Sequence, residues 1–208
     1  MSTSGRKTIL YTFQGGTDGA NPQASLTAGS GGVPYGDTND GGSTTCNGGC
    51  GVVYELLSSG SGYTEKVLYR LLGGNDGIIP GNLYVDSSGA PYGTTVLGGG
   101  AAACYSASGG GGCGTVFKLT PSGSGYAESV LHSFQGGSDG IGPRGTLIAD
   151  GSGAIYGTTE YGGGASACSS PSGNPVRYGL QIDAVGIRLR RKHRSQLPRR
   201  KRRFHGRD

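Results

Sequence analysis

One seven-residue pattern occurs three times, and this recurrence limits the fold more than any other feature of the chain. Phe13-Gln14-Gly15-Gly16-Thr17-Asp18-Gly19 returns as Leu71-Leu72-Gly73-Gly74-Asn75-Asp76-Gly77 and again as Phe134-Gln135-Gly136-Gly137-Ser138-Asp139-Gly140, with the aspartates 58 and 63 residues apart. Pro22, Pro80 and Pro143 follow in step. Next comes a hairpin-like segment: Leu26 to Thr38, Leu83 to Thr95 and Leu147 to Thr159. The last two share an Asp (Asp86, Asp150), whereas the first has Gly29 in that place. A variable Gly-rich insert then gives way to Gly51-Val52-Val53-Tyr54-Glu55-Leu56 or Gly114-Thr115-Val116-Phe117-Lys118-Leu119. A Ser-Gly-Ser-Gly turn connects these runs to Tyr63–Tyr69 and Tyr126–His132.

Each unit thus offers about four short β segments separated by turn chemistry. Gly accepts positive φ, and Asp bonds back to its own backbone, which suits tight hairpins. Strands are expected at about 51–57, 63–70, 81–86, 90–95, 114–120, 126–134, 145–149 and 154–159. Glycine, at 46 of 208 residues, and an apolar share of 33% disfavour long helices. The glycines follow no strict triplet period, which excludes collagen. No stretch is long and apolar enough for a membrane helix.

Four strands per unit at a period of roughly 40–60 residues is the pattern of propeller blades. The expected fold is all-β: tandem four-stranded antiparallel repeats in an incomplete, propeller-like array over residues 1–175, with units at about 1–70, 71–133 and 134–175. Closure would need about four to eight blades. A parallel solenoid is the competing architecture, but calcium-binding nonapeptides recur about every nine residues and these units do not.

The run Gly114 to Tyr126, then Ser133 to Gly140, then Leu147 to Thr159, resembles the GloVer tandem repeat of bacterial choice-of-anchor surface proteins. The resemblance covers about residues 9 to 175. It implies an exported, multi-repeat, propeller-like protein at the cell surface or outside the cell, and brings no catalytic residues. The chain departs from that pattern in having few repeats and a last segment, 176–208, that does not match. Its N-terminus also has no apolar core of the secretory type. The chain as written is therefore expected to stay in the cytoplasm, with its cysteines reduced.

All five cysteines lie in the inserts. Cys46 and Cys50 fall in the first unit and Cys104 and Cys113 in the second, with Cys50 and Cys113 just before Gly51 and Gly114. One pair per unit suits disulfides in an exported protein. Zinc would want Cys-x2-Cys knuckles or nearby histidines, and the inserts have neither. Cys168 is left unpaired.

Asp18, Asp76 and Asp139 are either calcium-loop ligands or turn residues. One Asp per unit falls short of the six to eight oxygens calcium takes, which favours the turn. Glu55, Glu65, Glu128 and Glu160 do not pair as acid and base by sequence alone. Tyr35, Tyr92 and Tyr156 recur once per unit, as packing residues or as a glycan-binding face. Gly60-Ser61-Gly62 and Gly123-Ser124-Gly125 read as hairpin turns, not nucleophile elbows. The sequence asks for no cofactor, and catalytic and metal sites are expected to be absent. The leading function is a non-enzymatic surface module, structural or adhesive. The alternative is a protein that binds or acts on polysaccharide.

The formal net charge is +5, yet residues 176–208 alone carry twelve Lys or Arg against Asp183 and Asp208. Such a tail could hold nucleic acid non-specifically through phosphate contacts. Its composition changes after Pro175, where a Cys-Gly-Thr-Val-Phe-Lys strand is due. Codons for Val176 to Asp183, read one nucleotide forward, can give Cys-Gly-Thr-Val-Phe-Lys-Leu. Codons for Gln196 to Arg203 can give Ser-Phe-Gln-Gly-Gly-Ser-Asp-Gly. The tail is thus expected to be a fourth-unit sequence read out of frame. It should be helical at most in part and otherwise disordered.

Overall fold

The computed structural model describes residues 7–60, 62–104, 111–162, 178–183 and 186–189. They are almost entirely strand and turn, with no α-helix among them. The first sheet is built from β1 (Thr27–Ala28), β2 (Pro34–Thr38), β3 (Val52–Ser59) and β4 (Gly62–Arg70), side by side in chain order. The second repeats this order with β5 (Ile78–Val85), β6 (Pro91–Leu97), β7 (Thr115–Ser122) and β8 (Gly125–Ser133). In the third, β9 (Ile141–Pro143) and β10 (Ile148–Ala149) both pair with β11 (Ile155–Tyr161), followed by β12 (Tyr178–Asp183) and β13 (Gly186–Leu189). Every strand pairing is antiparallel.

The repeat extends to the hydrogen-bond register. Gly36, Gly93 and Gly157 face Tyr54, Phe117 and Leu180 across the second and third strands. The third–fourth strand pairing shifts register between Val53 and Tyr54 in the first unit and between Val116 and Phe117 in the second. A bulge of this kind raises the local twist.

The sheets pack face to face. Tyr35, Val53 and Leu68 of the first unit share one core with Leu71, Leu83, Phe117 and Leu119 of the second. Val116 and Phe134 share the next core with Leu147 and Ile155 of the third unit. The outer face of the first sheet, with Val52, Tyr54 and Leu56, is covered by Tyr11 and Phe13. Phe13, Leu71 and Phe134 hold one repeat position and play one role, closing a seam between a unit and what precedes it.

Gly51 and Gly114 show why glycine must open the third strand. Their φ values are 100° and 98°, and an added Cβ would lie 2.5 Å from Pro80 Cδ and 2.6 Å from Pro143 Cδ of the following unit. Two recurring sequence features, the glycine and the proline, are therefore two sides of one close contact.

Two expectations change. The predicted strand over 81–86 begins earlier, at Ile78, because Ile78 pairs with Leu97. The predicted strand over 145–149 is reduced to β10 at Ile148–Ala149, and β9 forms before it, at Ile141–Pro143. Two pieces of the basic segment, expected to be helical at most in part and otherwise disordered, are strands instead: Tyr178–Asp183 pairs with β11 in the place of the third strand, and Gly186–Leu189 pairs back onto it. These residues complete the third sheet rather than opening a fourth unit. Cys168, Arg177, His193, His205 and the Arg-rich remainder lie outside the described residues.

Candidate functional site

The recurring aspartates organise the turns that lead from one unit to the next. Asp18 accepts hydrogen bonds from the Tyr11 hydroxyl, at 2.6 Å, and from the Gln14 N–H. Asp76 accepts from the Tyr69 hydroxyl, at 3.0 Å, and from the Leu72 N–H. Asp139 accepts from the Gln135 N–H at 2.7 Å and lies 3.1 Å from His132 Nε2 through either carboxylate oxygen. Asp76 and Asp139 therefore tie the end of one unit's last strand to the turn that follows, and Asp18 ties its turn to the segment that precedes the first sheet. Among the described residues no group of three His, Cys, Asp or Glu side chains could hold a metal ion.

Asp86 and Asp150 shape a second recurring turn. Oδ1 of Asp86 accepts from the Ser88 N–H and hydroxyl and from the Ala90 N–H, and Oδ1 of Asp150 does the same with Ser152 and Ala154. The Tyr156 hydroxyl donates to Asp150 Oδ2 at 2.6 Å. Of the recurring tyrosines, Tyr35 is buried at 7% exposure in the first inter-unit core, and Tyr92 packs against Tyr84 at 6.0 Å, with Lys118 Nζ 5.0 Å over its ring. Tyr35 and Tyr92 thus pack within the framework, whereas Tyr156 is joined to its own hairpin by the hydrogen bond to Asp150.

Both expected cysteine pairs are bonded: Cys46 to Cys50, with Cα atoms 5.2 Å apart, and Cys104 to Cys113, at 5.0 Å. They sit in the seams. The Cys50 carbonyl accepts from Ile79 N–H of the second unit at 3.1 Å, and the Cys113 carbonyl accepts from Gly142 N–H of the third at 2.8 Å. A Cβ on Gly73 would meet Cys46 Sγ at 2.9 Å, so the first disulfide lies directly on the linking turn.

The glutamates divide into two kinds. Glu55 is bonded to Lys66 at 2.9 Å, and Glu160 to Arg144 at 2.8 Å. Among the described residues Glu65 and Glu128 have no cationic partner at ion-pair distance, and one oxygen of each is buried without a hydrogen bond. Asp37 went unnoticed in the sequence. It is 1% exposed, neither oxygen has a partner, and burial pushes its carboxyl up to about 7. Its repeat counterparts are Thr94 and Thr158, and this break in the pattern was the available signal.

A cleft of about 520 Å³ opens between Gly16–Thr17 and the insert Gly41–Gly49, with Ser43, Thr44, Thr45 and Asn47 on its wall. A smaller one of about 230 Å³ lies among the first strands of the units, lined by Gln23, Asn39, Pro80, Asn82 and Arg144. No helix among the described residues is long and apolar enough to cross a membrane. No known protein family matches the chain, and no curated protein matches it.

Proposed function

We propose that the chain is a non-enzymatic repeat module of an extracellular or cell-surface protein, structural or adhesive in role, of the GloVer kind that its motifs resemble. The observation that carries this reading is the use of its polar side chains. The recurring Asp18, Asp76 and Asp139 tie turns, Asp86 and Asp150 tie hairpins, and Glu55 and Glu160 are paired with cations. A disulfide in each of two inserts supports an oxidising compartment. The hydroxyl- and amide-walled cleft along Gly41–Gly49 is the natural place for a surface glycan.

The test is a glycan array followed by a hydrolysis assay on every glycan retained. Retention without turnover, or no retention at all, agrees with an adhesive or a structural role respectively. Turnover would contradict the reading and favour a polysaccharide-acting enzyme.

The basic segment belongs to the same proposal as out-of-frame coding sequence, and no selected nucleic-acid role is assigned to it. The backbone register supports this: Tyr178–Asp183 takes the strand position at which the shifted frame reads Thr-Val-Phe-Lys-Leu. Sequencing the gene decides it. The shifted frame must read Cys-Gly-Thr across Val176 to Gly179 and stay open through the Ser-Phe-Gln-Gly-Gly run; a stop codon before that run ends the idea.

A further inference from the structure

In an antiparallel sheet, residues directly opposite each other share a face. Leu56 is opposite Glu65, and Leu119 is opposite Glu128. Leu56 packs in the cluster that holds Tyr11, and Tyr11 donates to Asp18. Leu119 packs in the cluster that holds Tyr69, and Tyr69 donates to Asp76. In the first two units the last strand therefore turns a glutamate toward the face that holds the aspartate-bound tyrosine, and Glu65 lies within hydrogen-bonding reach of Asp18, as Glu128 does of Asp76. One oxygen of each glutamate is buried and unpartnered.

We propose that Glu65 and Glu128 hold protons that they share with Asp18 and Asp76, so that two successive seams of the array tighten when the proton is present and loosen when it is lost to solvent.

The surroundings agree with this reading. Burial first, then the hydrogen bond and charge of Asp18, push the Glu65 carboxyl up to about 8; Arg70 pulls weakly the other way. Burial and Asp76 raise the Glu128 carboxyl likewise. The other titratable groups around Glu65 are Tyr11 and Tyr54, and the one beside Glu128 is Tyr69. All three tyrosines titrate well above the glutamates and stay neutral as those ionise. Lys66 lies 5.9 Å over the Tyr126 ring, but its ammonium is bonded to Glu55. Above the glutamate pKa two carboxylates face each other in each pair; Arg70, whose Nε donates to the Thr17 carbonyl at 3.0 Å, is the cation near the first, and among the described residues neither glutamate forms an ion pair. The third seam is a contrast: His132 faces Asp139, and the register position of Glu65 and Glu128 falls to Ile187.

The sign follows from linkage. A glutamate whose folded pKa lies above its unfolded value favours folding fully below about pH 4.5, and that contribution is lost as pH rises through the folded value. Asp37 acts in the same direction, so the test uses the Asp37→Thr chain throughout. Thermal unfolding should show Tm falling by at least about 4 °C from pH 5 to pH 9, and Glu65→Gln with Glu128→Gln should remove most of that fall. An equal fall in the double variant would overturn the proposal. Carboxyl 13C NMR of the chain with its glutamates intact gives a second reading: two of its four glutamates should titrate above pH 7, and four ordinary titrations would overturn it. Calcium chloride is the remaining arm. If calcium restores the pH 9 Tm to its pH 5 value, the pairs are cation sites and proton sharing is wrong; an unchanged Tm agrees with proton sharing.

Discussion

Ile79 has φ of 60°, a left-handed conformation that a β-branched residue avoids. Its counterparts are Asn21 at 59° and Gly142 at 63°, both tolerant of that region. Replacing Ile79 by Asn should stabilise the chain by about 1 kcal/mol, read as a higher urea midpoint; a lower midpoint would mean that the half-buried isoleucine side chain matters more than the strain. Asp37 is a second misfit. Asp37→Thr copies the other units and should stabilise by a few kcal/mol at about pH 8, because the wild-type carboxyl must ionise in a buried site. Its pKa is raised, so the wild-type deficit is absent below about pH 4 and complete above about pH 7. The gain should shrink as the pH is lowered. Gly29, by contrast, is explained: a Cβ there would lie 2.3 Å from the Tyr35 ring, so the Asp of the other hairpins cannot be accommodated. The residue scale was the least legible in sequence. A repeat alignment exposes Asp37 and Ile79 as odd, but only coordinates show which is buried and which is strained.

At the scale of elements, turns and strands were legible because their causes are local. Asp-Gly pairs and Gly-Ser-Gly runs set hairpins, and β-branched runs set the third strands. The boundaries that shifted have local causes too. Pro80 lies inside β5, an interior position that argues against a strand unless the strand is at an edge; β5 is the edge of its sheet. In the third unit the corresponding stretch pairs with β11 at only two short places, β9 and β10, with residues 144–147 between them. The inserts were legible through their cysteines, though not their placement on the seams. Each bridge closes a short loop, with residue separations of 4 and 9, and each should contribute about 2–3 kcal/mol. Thermal melts with and without a phosphine reductant check this. The reduced chain should also lose hydrogen-exchange protection at Ile79 and Gly142, whose amide protons are held by the Cys50 and Cys113 carbonyls. Unchanged protection there would mean that the bridges do not support the seams.

At the scale of the whole molecule, the chain is a series of seams more than a series of sheets. Nearest-neighbour stacking makes stability a sum of unit and interface contributions. Leu71 and Phe134 are both fully buried in seams, at 0% exposure. Leu71→Ala should cost about 2–5 kcal/mol and Phe134→Ala about 3–5 kcal/mol in chemical denaturation. Phe134→Ala should loosen the second seam while leaving the first protected. The carboxyl pairs were not visible in sequence, because Glu65 and Asp18 are far apart in the chain and are brought together only by tertiary packing. Sequence periodicity reports which residues share a face; it does not report which unit that face meets. The claim on which all of this rests is that consecutive sheets pack through their faces. Nuclear Overhauser contacts between the Phe117 ring and the methyl groups of Val53 and Leu68 test it most directly, since all three belong to one core drawn from two units. Strong contacts across that pair of units are the predicted result; contacts confined within each unit would contradict the stacked array.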